Sequence, residues 1–265
     1  MQLETTFNFW REKNIDTVEK LKLALENFNI LFAYNSGNIE NERITFNDTR
    51  EIFDKGNVIG YTGDLRTLFE IQNQKKCVDF ICENVLLKKP LTVSLIKDIN
   101  RILCENTLDE RRYNINKERA GEFKKHDYVT GKNEIGCAAC DVEKEIISLV
   151  GEVINIKTDK ILTVCAYFHC KFEQIHPFSD GNGRTGRTLI NYLLLTNNLP
   201  PLIVFENDRN YYYDALQKFD EQEEIQPMEN FLSYCLTKTW AKSLELANKQ
   251  TMLAVDLKEE NDLEL

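Results

Sequence analysis

The chain has 265 residues, of which 42% are hydrophobic and 29% are charged, and its formal net charge is −10. A chain of this length and composition can bury a sizeable core, which excludes the disordered and collagen-like classes. The acidic balance disfavours nucleic acid and membranes as partners, because both attract proteins through a basic surface. The first residues lack the pattern of a signal peptide, and no stretch approaches the length of a transmembrane helix, so we expect a cytoplasmic protein.

The eight cysteines do not predict a disulfide framework, because the chain is long and shows no secretory signal in its first residues. We expect most of them to be buried, reduced thiols. Cys137-Ala-Ala-Cys140 has the spacing of half a zinc site, yet no second pair of cysteines or histidines completes it. Zinc is therefore disfavoured.

Apolar side chains recur at three- and four-residue spacing along most of the chain, which is typical of amphipathic helices. The first of these segments follows Asp16-Thr17, a common helix start, and the prolines fall between segments, where a missing N–H donor does no harm. The pattern predicts an all-α fold with helices at about residues 16–34, 46–55, 64–87, 91–105, 141–156, 160–174, 184–197, 208–220 and 228–248.

One stretch, residues 113–136, is polar and rich in turn-forming residues, and it breaks the helical pattern. Within it, residues 123–129 alternate briefly between apolar and polar side chains before a Thr-Gly pair. This alternation predicts a small β-hairpin. The acidic end of the chain, from Lys258 onward, is expected to fray.

Residues 176–187 combine side chains that no packing requirement explains: His-Pro-Phe-Ser-Asp-Gly-Asn-Gly-Arg-Thr-Gly-Arg. The run contains a titratable base, a carboxylate, a glycine-flanked turn and two arginines. Such groups can remove a proton, bind a hard metal ion and bind phosphates. The sequence therefore predicts a site for nucleotide chemistry.

His176 and Asp180 are the candidate reactive residues of this run. The proline after His176 places it on a loop between two predicted helices. A lone histidine is more often a packed or capping residue, but the acid and arginine that follow it favour a general base. Asp180 is interpreted as a Mg²⁺ ligand, because Mg²⁺ is usually held by one or two carboxylates together with phosphate oxygens, and a cap of the next helix is the alternative. Phe178 is expected to anchor the loop in the core.

The second half of the run has the composition of a phosphate site. Gly181, Asn182 and Gly183 supply backbone N–H groups that can converge on an anion at the start of a helix. Arg184 and Arg187 lie on one face of the first turn and can reach adjacent phosphates. The run is neither a Walker A loop nor a Rossmann fingerprint, because no Gly-Lys-Ser/Thr follows it and no strand precedes it.

The run agrees at every fixed position with the signature of the Fic family, His-x-Phe-x-Asp/Glu-Gly-Asn-Gly-Arg-x-x-Arg, and the chain resembles this family over roughly residues 30–240. The resemblance implies a Fic-type helical bundle with a small β-hairpin flap near the active site. It implies an amino-terminal helical region with an inhibitory motif at residues 1–90, a Fic core at 91–225, and a carboxy-terminal helix with an acidic tail at 226–265.

The resemblance further implies that the chain transfers AMP from ATP to a Ser, Thr or Tyr hydroxyl of a protein, including itself, and releases pyrophosphate. In this scheme His176 takes the hydroxyl proton, Asp180 holds Mg²⁺, and the glycine-rich turn steadies the α-phosphate. Arg184 and Arg187 bind the β- and γ-phosphates. The implied nucleotide-binding residues of the run are Asp180, Gly181, Asn182, Gly183, Arg184, Thr185, Gly186 and Arg187.

Two further groups of site residues are implied by the resemblance. The flap lines up the backbone of the target protein by strand addition. A pair of tyrosines on a later helix approaches the nucleotide base, although tyrosines on helices also serve as core residues. The matching residues here are Tyr128, Val129, Thr130 and Gly131 for the flap, and Tyr212 and Tyr213 for the pair.

Ser36-Gly-Asn-Ile-Glu40-Asn41 resembles the inhibitory motif of the family, Ser/Thr-x-x-x-Glu-Gly/Asn. The resemblance implies that Glu40 pairs with Arg187 and takes the place of the γ-phosphate. A carboxylate can compete with a phosphate for the same guanidinium, so the implied inhibition is physically sound. A capping box is the alternative, but it needs an acid three residues after Ser36, where Ile39 stands.

Two other functions remain open at this point. The same site could remove AMP from a modified protein, with Glu40 positioning a water molecule. The chain could also be a nucleotide-sensing interaction module, such as half of a toxin–antitoxin pair. Neither the protein target nor the oligomeric state can be derived, and a homo-oligomer is left open.

Overall fold

The structure is a computed structural model that describes residues 2–129, 136–154, 156 and 160–263, with side chains described as far as residue 249. These residues form α-helices and no β-strand, which confirms the all-α class. Short helical turns at Arg111–Ile115 and Glu206–Asp208 join longer elements. The α-helices are α1 (Gln2–Arg11), α2 (Val18–Ala24), α3 (Glu26–Asn38), α4 (Phe46–Lys55), α5 (Leu65–Leu86), α6 (Val93–Leu103), α7 (Val142–Ile154), α8 (Ile161–Ile175), α9 (Asn182–Thr196), α10 (Arg209–Gln222) and α11 (Gln226–Leu263).

The helix predicted over residues 16–34 is two helices, α2 and α3, with a bend at Leu25. The backbone of Leu25 has φ −104° and ψ 3°, and its N–H is shared between the carbonyl oxygens of Leu21 and Lys22. The bend keeps Leu25 and Phe28 in the same core. No glycine or proline marks the bend, so the apolar spacing alone predicts one continuous helix.

The first helix, α1, was not predicted. It is short, and only two of its side chains, Thr6 and Trp10, are buried. A helix of this length depends on tertiary packing. That packing comes from α11, where Trp240 meets Trp10 edge to face with ring centres 5.3 Å apart and stacks on Phe28 at 6.1 Å.

Helices α8 and α9 form the centre of the bundle. The α9 residues from Arg184 to Leu195 are all buried. α8 also packs against α7, α10 and α11, whereas α9 packs against α3, α5 and α6. The loop between α8 and α9 therefore lies where the first helices of the chain meet the core.

The predicted β-hairpin is wrong for the part of it that the structure describes, because residues 123–129 form no strand. The buried carboxylate of Glu118 accepts hydrogen bonds from Lys125 N at 3.0 Å and from the Tyr128 hydroxyl at 2.9 Å. These bonds hold the segment against the preceding turn in place of a strand ladder. Thr130 and Gly131 lie outside the described residues.

The carboxy-terminal end also differs from expectation. α11 continues to Leu263, so the predicted frayed segment from Lys258 is helical over its described part. Lysine and glutamate are good helix formers, which the expectation of fraying overlooked. The predicted region boundaries near residues 90 and 225 stay predictions.

The cysteines follow the prediction of buried, reduced thiols. All eight are free, and six are buried, while Cys137 is half-buried and Cys140 is exposed. Separately, none of the helices described here combines the length and the apolar character needed to cross a bilayer.

Candidate active site

The predicted site lies in the loop between α8 and α9. α8 ends at Ile175, and His176 adopts the left-handed conformation, with φ +50° and ψ +64°. Pro177 follows and cannot continue the helix. Gly181 precedes α9 with φ +77°, and a side chain there would collide with the thiol of Cys104. Residue 181 must therefore be glycine both for its backbone conformation and for space.

Two asparagines hold this loop. The Asn182 side chain accepts a hydrogen bond from Phe178 N at 2.9 Å and donates one to the Phe178 carbonyl at 2.8 Å. Asn100 on α6 donates to the Asp180 carbonyl at 3.0 Å and to Thr185 Oγ1 at 3.2 Å. Sequence analysis missed Asn100, whose only signal is an amide among the buried apolar residues of its helix. Phe178 is buried and anchors the loop as expected.

A cavity of about 400 Å³ opens beside the loop, within the size range of small-molecule sites. Its wall carries His176, four acidic residues and four arginines, so its charges are nearly balanced in the absence of a ligand. The acidic residues are Glu40, Asp64, Glu70 and Asp180, and the arginines are Arg43, Arg66, Arg112 and Arg184.

His176 is half-buried in this wall. Burial, followed by the positive charge of Lys124, lowers the pKa of His176 to about 4. The imidazole is therefore neutral at pH 7 and can accept a proton.

Asp180 lies on the same wall, with its side chain 18% exposed. Its Oδ2 atom accepts a hydrogen bond from Arg66 Nη2 at 2.8 Å, and its Oδ1 atom lies 3.5 Å from Arg184 Nη2. Sequence analysis did not anticipate Arg66, because 114 residues separate it from Asp180 and only the fold brings the two together.

The residues around Asp180 fit a Mg²⁺ ion that is shared with a nucleotide. Among the described residues no cluster of three or more His, Cys, Asp or Glu ligands is present. Mg²⁺ needs no such cluster, because it is commonly bound through one or two carboxylates, phosphate oxygens and water. Asp180 is the carboxylate next to the helix start that would hold the phosphates.

Arg184 is 3% exposed and lies 3.5 Å from a carboxylate oxygen of Glu70 and 3.5 Å from one of Asp180. Its Nε and Nη1 atoms are buried and make no hydrogen bond within the described part of the chain. Buried donors of a charged group are costly to leave unused. They are suited to an anionic ligand such as a phosphate.

Arg187 is 1% exposed and is bound by the end of α3 and the residues that follow it. Its Nη2 atom donates to Glu40 Oε1 at 2.9 Å and to the Ser36 carbonyl at 2.8 Å, and its Nε atom donates to Ser36 Oγ at 3.0 Å. A side chain on Gly183 would overlap with the Glu40 carboxylate. The structure thus brings together the residues of the two motifs and places Glu40 directly against the start of α9.

Asn41 connects the same segment to α5. Its Nδ2 atom donates to Glu70 Oε2 at 2.8 Å and to Thr67 Oγ1 at 3.1 Å. The other Glu70 oxygen accepts a hydrogen bond from Arg66 Nε at 3.2 Å. Asn41, Glu70 and Arg66 therefore form a series of hydrogen bonds that ends at Asp180. Nothing in the sequence pattern distinguishes Glu70 from other acids on the helix.

Of the predicted nucleotide-binding residues of the loop, three do not line the cavity: Thr185, Gly186 and Arg187, which is bound to Ser36 and Glu40. Thr185 is fully buried against Asn100. A Cβ on Gly186 would lie 2.7 Å from Glu173 Oε1 and 2.9 Å from His169 Nδ1, both on α8. Thr185 and Gly186 serve the close packing of α9 on α6 and α8.

The predicted tyrosines differ in environment. Tyr212 is buried, its hydroxyl lies 2.8 Å from His169 Nε2, and the Arg187 guanidinium lies 5.8 Å from its ring centre. Tyr213 is exposed beside it. Neither Tyr128, which is bound to Glu118, nor the exposed Val129 lines the cavity.

Comparison with known proteins matches residues 90–194 to the Fic/DOC family. A protein adenylyltransferase Fic of Aedes aegypti is 44% identical over 94 residues, which are 34% of this chain and 18% of that protein. A protein of the same name from Drosophila erecta is 28% identical over 217 residues, which are 79% of this chain and 42% of that protein. The chain spans less than half the length of these curated relatives.

Solved structures show the same fold. A Fic domain containing signaling protein from Bacteroides thetaiotaomicron VPI-5482 superposes with a TM-score of 0.79 at 24% identity, over 94% of this chain and 97% of that one. A fragment of Fic-1 from C. elegans superposes with a TM-score of 0.72 at 20% identity, over 94% of this chain and 72% of that one. The loop from His176 to Arg187 falls inside residues 90–194, the part of the chain that matches the Fic/DOC family.

Proposed function

We propose that the chain is a protein adenylyltransferase that moves AMP from ATP to a Ser, Thr or Tyr hydroxyl of a protein and releases pyrophosphate. The observation that carries this proposal is one cavity wall that holds a neutral base, a carboxylate and a buried arginine, namely His176, Asp180 and Arg184. The relatives named protein adenylyltransferase Fic support the same activity.

In the proposed reaction, a neutral nitrogen of His176 removes the proton of the target hydroxyl while the hydroxyl oxygen attacks the α-phosphorus of ATP. The bond from the α-phosphorus to the bridging oxygen breaks, and pyrophosphate leaves with the electron pair. The Nε and Nη1 atoms of Arg184, which make no hydrogen bond among the described residues, would donate to the leaving pyrophosphate as negative charge develops on it. Asp180 would hold Mg²⁺, which neutralises phosphate charge when it is bound.

We assign the role of inhibitor to Glu40. Arg187 is the residue that would bind the γ-phosphate, and its Nη2 atom already donates to the Glu40 carboxylate at 2.9 Å. The terminal phosphate of ATP has to displace that carboxylate before it can reach the arginine. Hydrogen bonds to charged groups are worth about 1.5–3 kcal/mol, so the expected inhibition is about 10- to 100-fold.

The test is incubation with labelled ATP and Mg²⁺, followed by a gel. We expect Glu40→Gly to raise self-modification about 10- to 100-fold over the unmodified chain. Glu42→Gly is the matched control, because it removes a neighbouring acid whose hydrogen bond, to Arg209, is on the surface. Equal labelling of all three proteins would contradict the inhibitory role. Absence of labelling in every variant, also in a cell lysate that offers other targets, would contradict the transferase.

A second candidate function is removal of AMP from a modified protein by the same site. It is favoured by the position of Glu40, whose carboxylate lines the cavity together with His176 and could orient a water molecule there. A pre-modified protein incubated with the chain would then release AMP. Loss of that release in Glu40→Gly, together with a gain in transfer, would assign both activities to one site.

A further inference from the structure

Arg66 engages the carboxylate to which the proposed function assigns the metal. Its Nη2 atom lies 2.8 Å from Asp180 Oδ2, whereas Arg184 approaches Asp180 only to 3.5 Å. Arg66 belongs to α5 and lies outside the sequence signature of the loop. Asp180 is thus already neutralised by a cation from the amino-terminal region of the chain.

The helix dipole does not explain this placement of Arg66. Asp64 caps α5 by accepting a hydrogen bond from Arg66 N, so Arg66 lies in the first turn of the helix. A positive charge in the first turn opposes the helix dipole. What holds the side chain in place is Glu70, which is 4% exposed and accepts a hydrogen bond from Arg66 Nε at 3.2 Å.

We propose that Arg66 is an exchangeable counter-ion of Asp180, and that a divalent cation binds Asp180 only by replacing the Arg66 guanidinium. The proposal rests on the metal role that the proposed function gives to Asp180. Asp180 Oδ1 already accepts a hydrogen bond from Gly181 N at 2.8 Å, which leaves Oδ2 as the oxygen for a metal. Mg²⁺ contacts a carboxylate oxygen directly, at about 2.0–2.1 Å, so at Oδ2 it would lie next to the Arg66 guanidinium, and the repulsion between the two positive charges favours departure of the guanidinium.

The Arg66 side chain is placed to make this exchange. It is 40% exposed and lines the cavity, so after it leaves Asp180 it can extend towards the space proposed for the phosphates. One guanidinium group can bind a phosphate through two parallel N–H···O hydrogen bonds. Arg66 would then pass from the carboxylate to the nucleotide, and the bound metal would take its former position.

The experiment is a titration of the full chain with Mn²⁺ in the absence of nucleotide, with free Mn²⁺ measured by electron paramagnetic resonance. The test variant is Arg66→Gln, with Arg66→Met as a second variant if the first does not fold. The matched control is Arg43→Gln, because Arg43 lines the same cavity but lies 3.9 Å from its nearest carboxylate, that of Asp64. The control removes the same charge without releasing Asp180.

We expect Arg66→Gln to bind Mn²⁺ about fivefold more tightly than the unmodified chain. In this variant the metal does not have to break the ion pair between Arg66 and Asp180, and a partly exposed ion pair is worth up to about 1 kcal/mol. Arg43→Gln should change the affinity by less than about twofold, since it alters only a screened charge. The gain should vanish when Asp180→Asn is added to Arg66→Gln. An equal gain in both arginine variants, or a gain that survives Asp180→Asn, would overturn the exchange.

Transfer assays on the same preparations separate this inference from the proposed function. If Glu40→Gly transfers AMP but Arg66→Gln does not change the affinity for Mn²⁺, the exchange is refuted and the transferase proposal stands. If Arg66→Gln binds Mn²⁺ more tightly, in a way that depends on Asp180, but no variant transfers AMP, the exchange is supported and the transferase proposal is refuted.

Discussion

The proposed role of His176 as a base depends on its surroundings. Its left-handed backbone turns the chain out of α8, and the half-buried ring faces a cavity that also holds Asp180. Burial and the charge of Lys124 lower its pKa to about 4, so the ring is uncharged near pH 7. A base of low pKa accepts a proton less strongly, but it is present wholly in its reactive form.

The pH dependence of AMP transfer follows from that pKa. The reactive neutral imidazole is lost as the pH falls through about 4, so transfer by Glu40→Gly should stay level from pH 8 to about pH 5 and decline below it. An acidic limb centred near the ordinary histidine pKa of about 6.5 would contradict the assignment.

His176→Ala should reduce transfer about 10²- to 10⁴-fold and keep nucleotide binding. His126→Ala is the control, since His126 is exposed and hydrogen-bonded to Glu118.

At the scale of elements, the end of α3 and the first turns of α5 act on opposite ends of the active-site loop. Glu40 binds Arg187, and Arg66 binds Asp180. Asn41 links the two contacts, because its amide donates to Glu70, which in turn holds Arg66. The two contacts are therefore expected to loosen together.

Asn41→Ala tests this linkage. It removes the hydrogen bond to a buried carboxylate, worth about 1.5–3 kcal/mol, and should raise self-modification by up to about tenfold, less than Glu40→Gly. Glu42→Ala, next in the chain and bonded only on the surface, should leave self-modification unchanged. If Asn41→Ala labels itself no more than Glu42→Ala does, Asn41 does not help to hold the segment on Arg187.

The elements themselves were largely predictable, because apolar spacing marks α4 to α10 in the sequence, and Thr45, Asp64 and Thr92 cap α4, α5 and α6. α1 was missed because its stability comes from Trp240, at the other end of the chain. The active-site loop and its link to Glu40 could be predicted because the side chains that carry them form short motifs. Arg66, Glu70 and Asn100 could not, since each is an ordinary helical residue until the fold brings it to Asp180.

At the scale of the whole molecule, the first and last helices close one core. Trp10 of α1 and Phe28 of α3 both contact Trp240 of α11. The core cluster that contains them also includes Phe172 of α8 and Leu189 of α9, the two helices that flank the active-site loop. The amino-terminal region is therefore expected to unfold together with residues 90–194, which match the Fic/DOC family.

Trp10→Ala tests this cooperativity. Loss of a buried tryptophan should lower the free energy of unfolding by about 3 kcal/mol or more. The chain has two tryptophans, so the fluorescence of this variant reports on Trp240 alone, while circular dichroism reports on all helices. The two probes should give coincident transitions in denaturant. Leu23→Ala, at an exposed position, should be neutral. Two separate transitions would mean that the regions fold independently.

The hydrogen bonds that Ser36 accepts from Arg187 have a consequence for binding entropy. Of the three hydrogen bonds that Arg187 donates to described residues, two go to Ser36 and one goes to Glu40. Removal of the Glu40 carboxylate therefore leaves the guanidinium fixed in direction. The free-energy cost of fixing the rotamer of an arginine, about 2 kcal/mol, then falls on folding and does not reduce the affinity for a ligand. In the proposed inhibition, the helix end that carries Glu40 therefore also holds Arg187 in the orientation in which it would bind the phosphate.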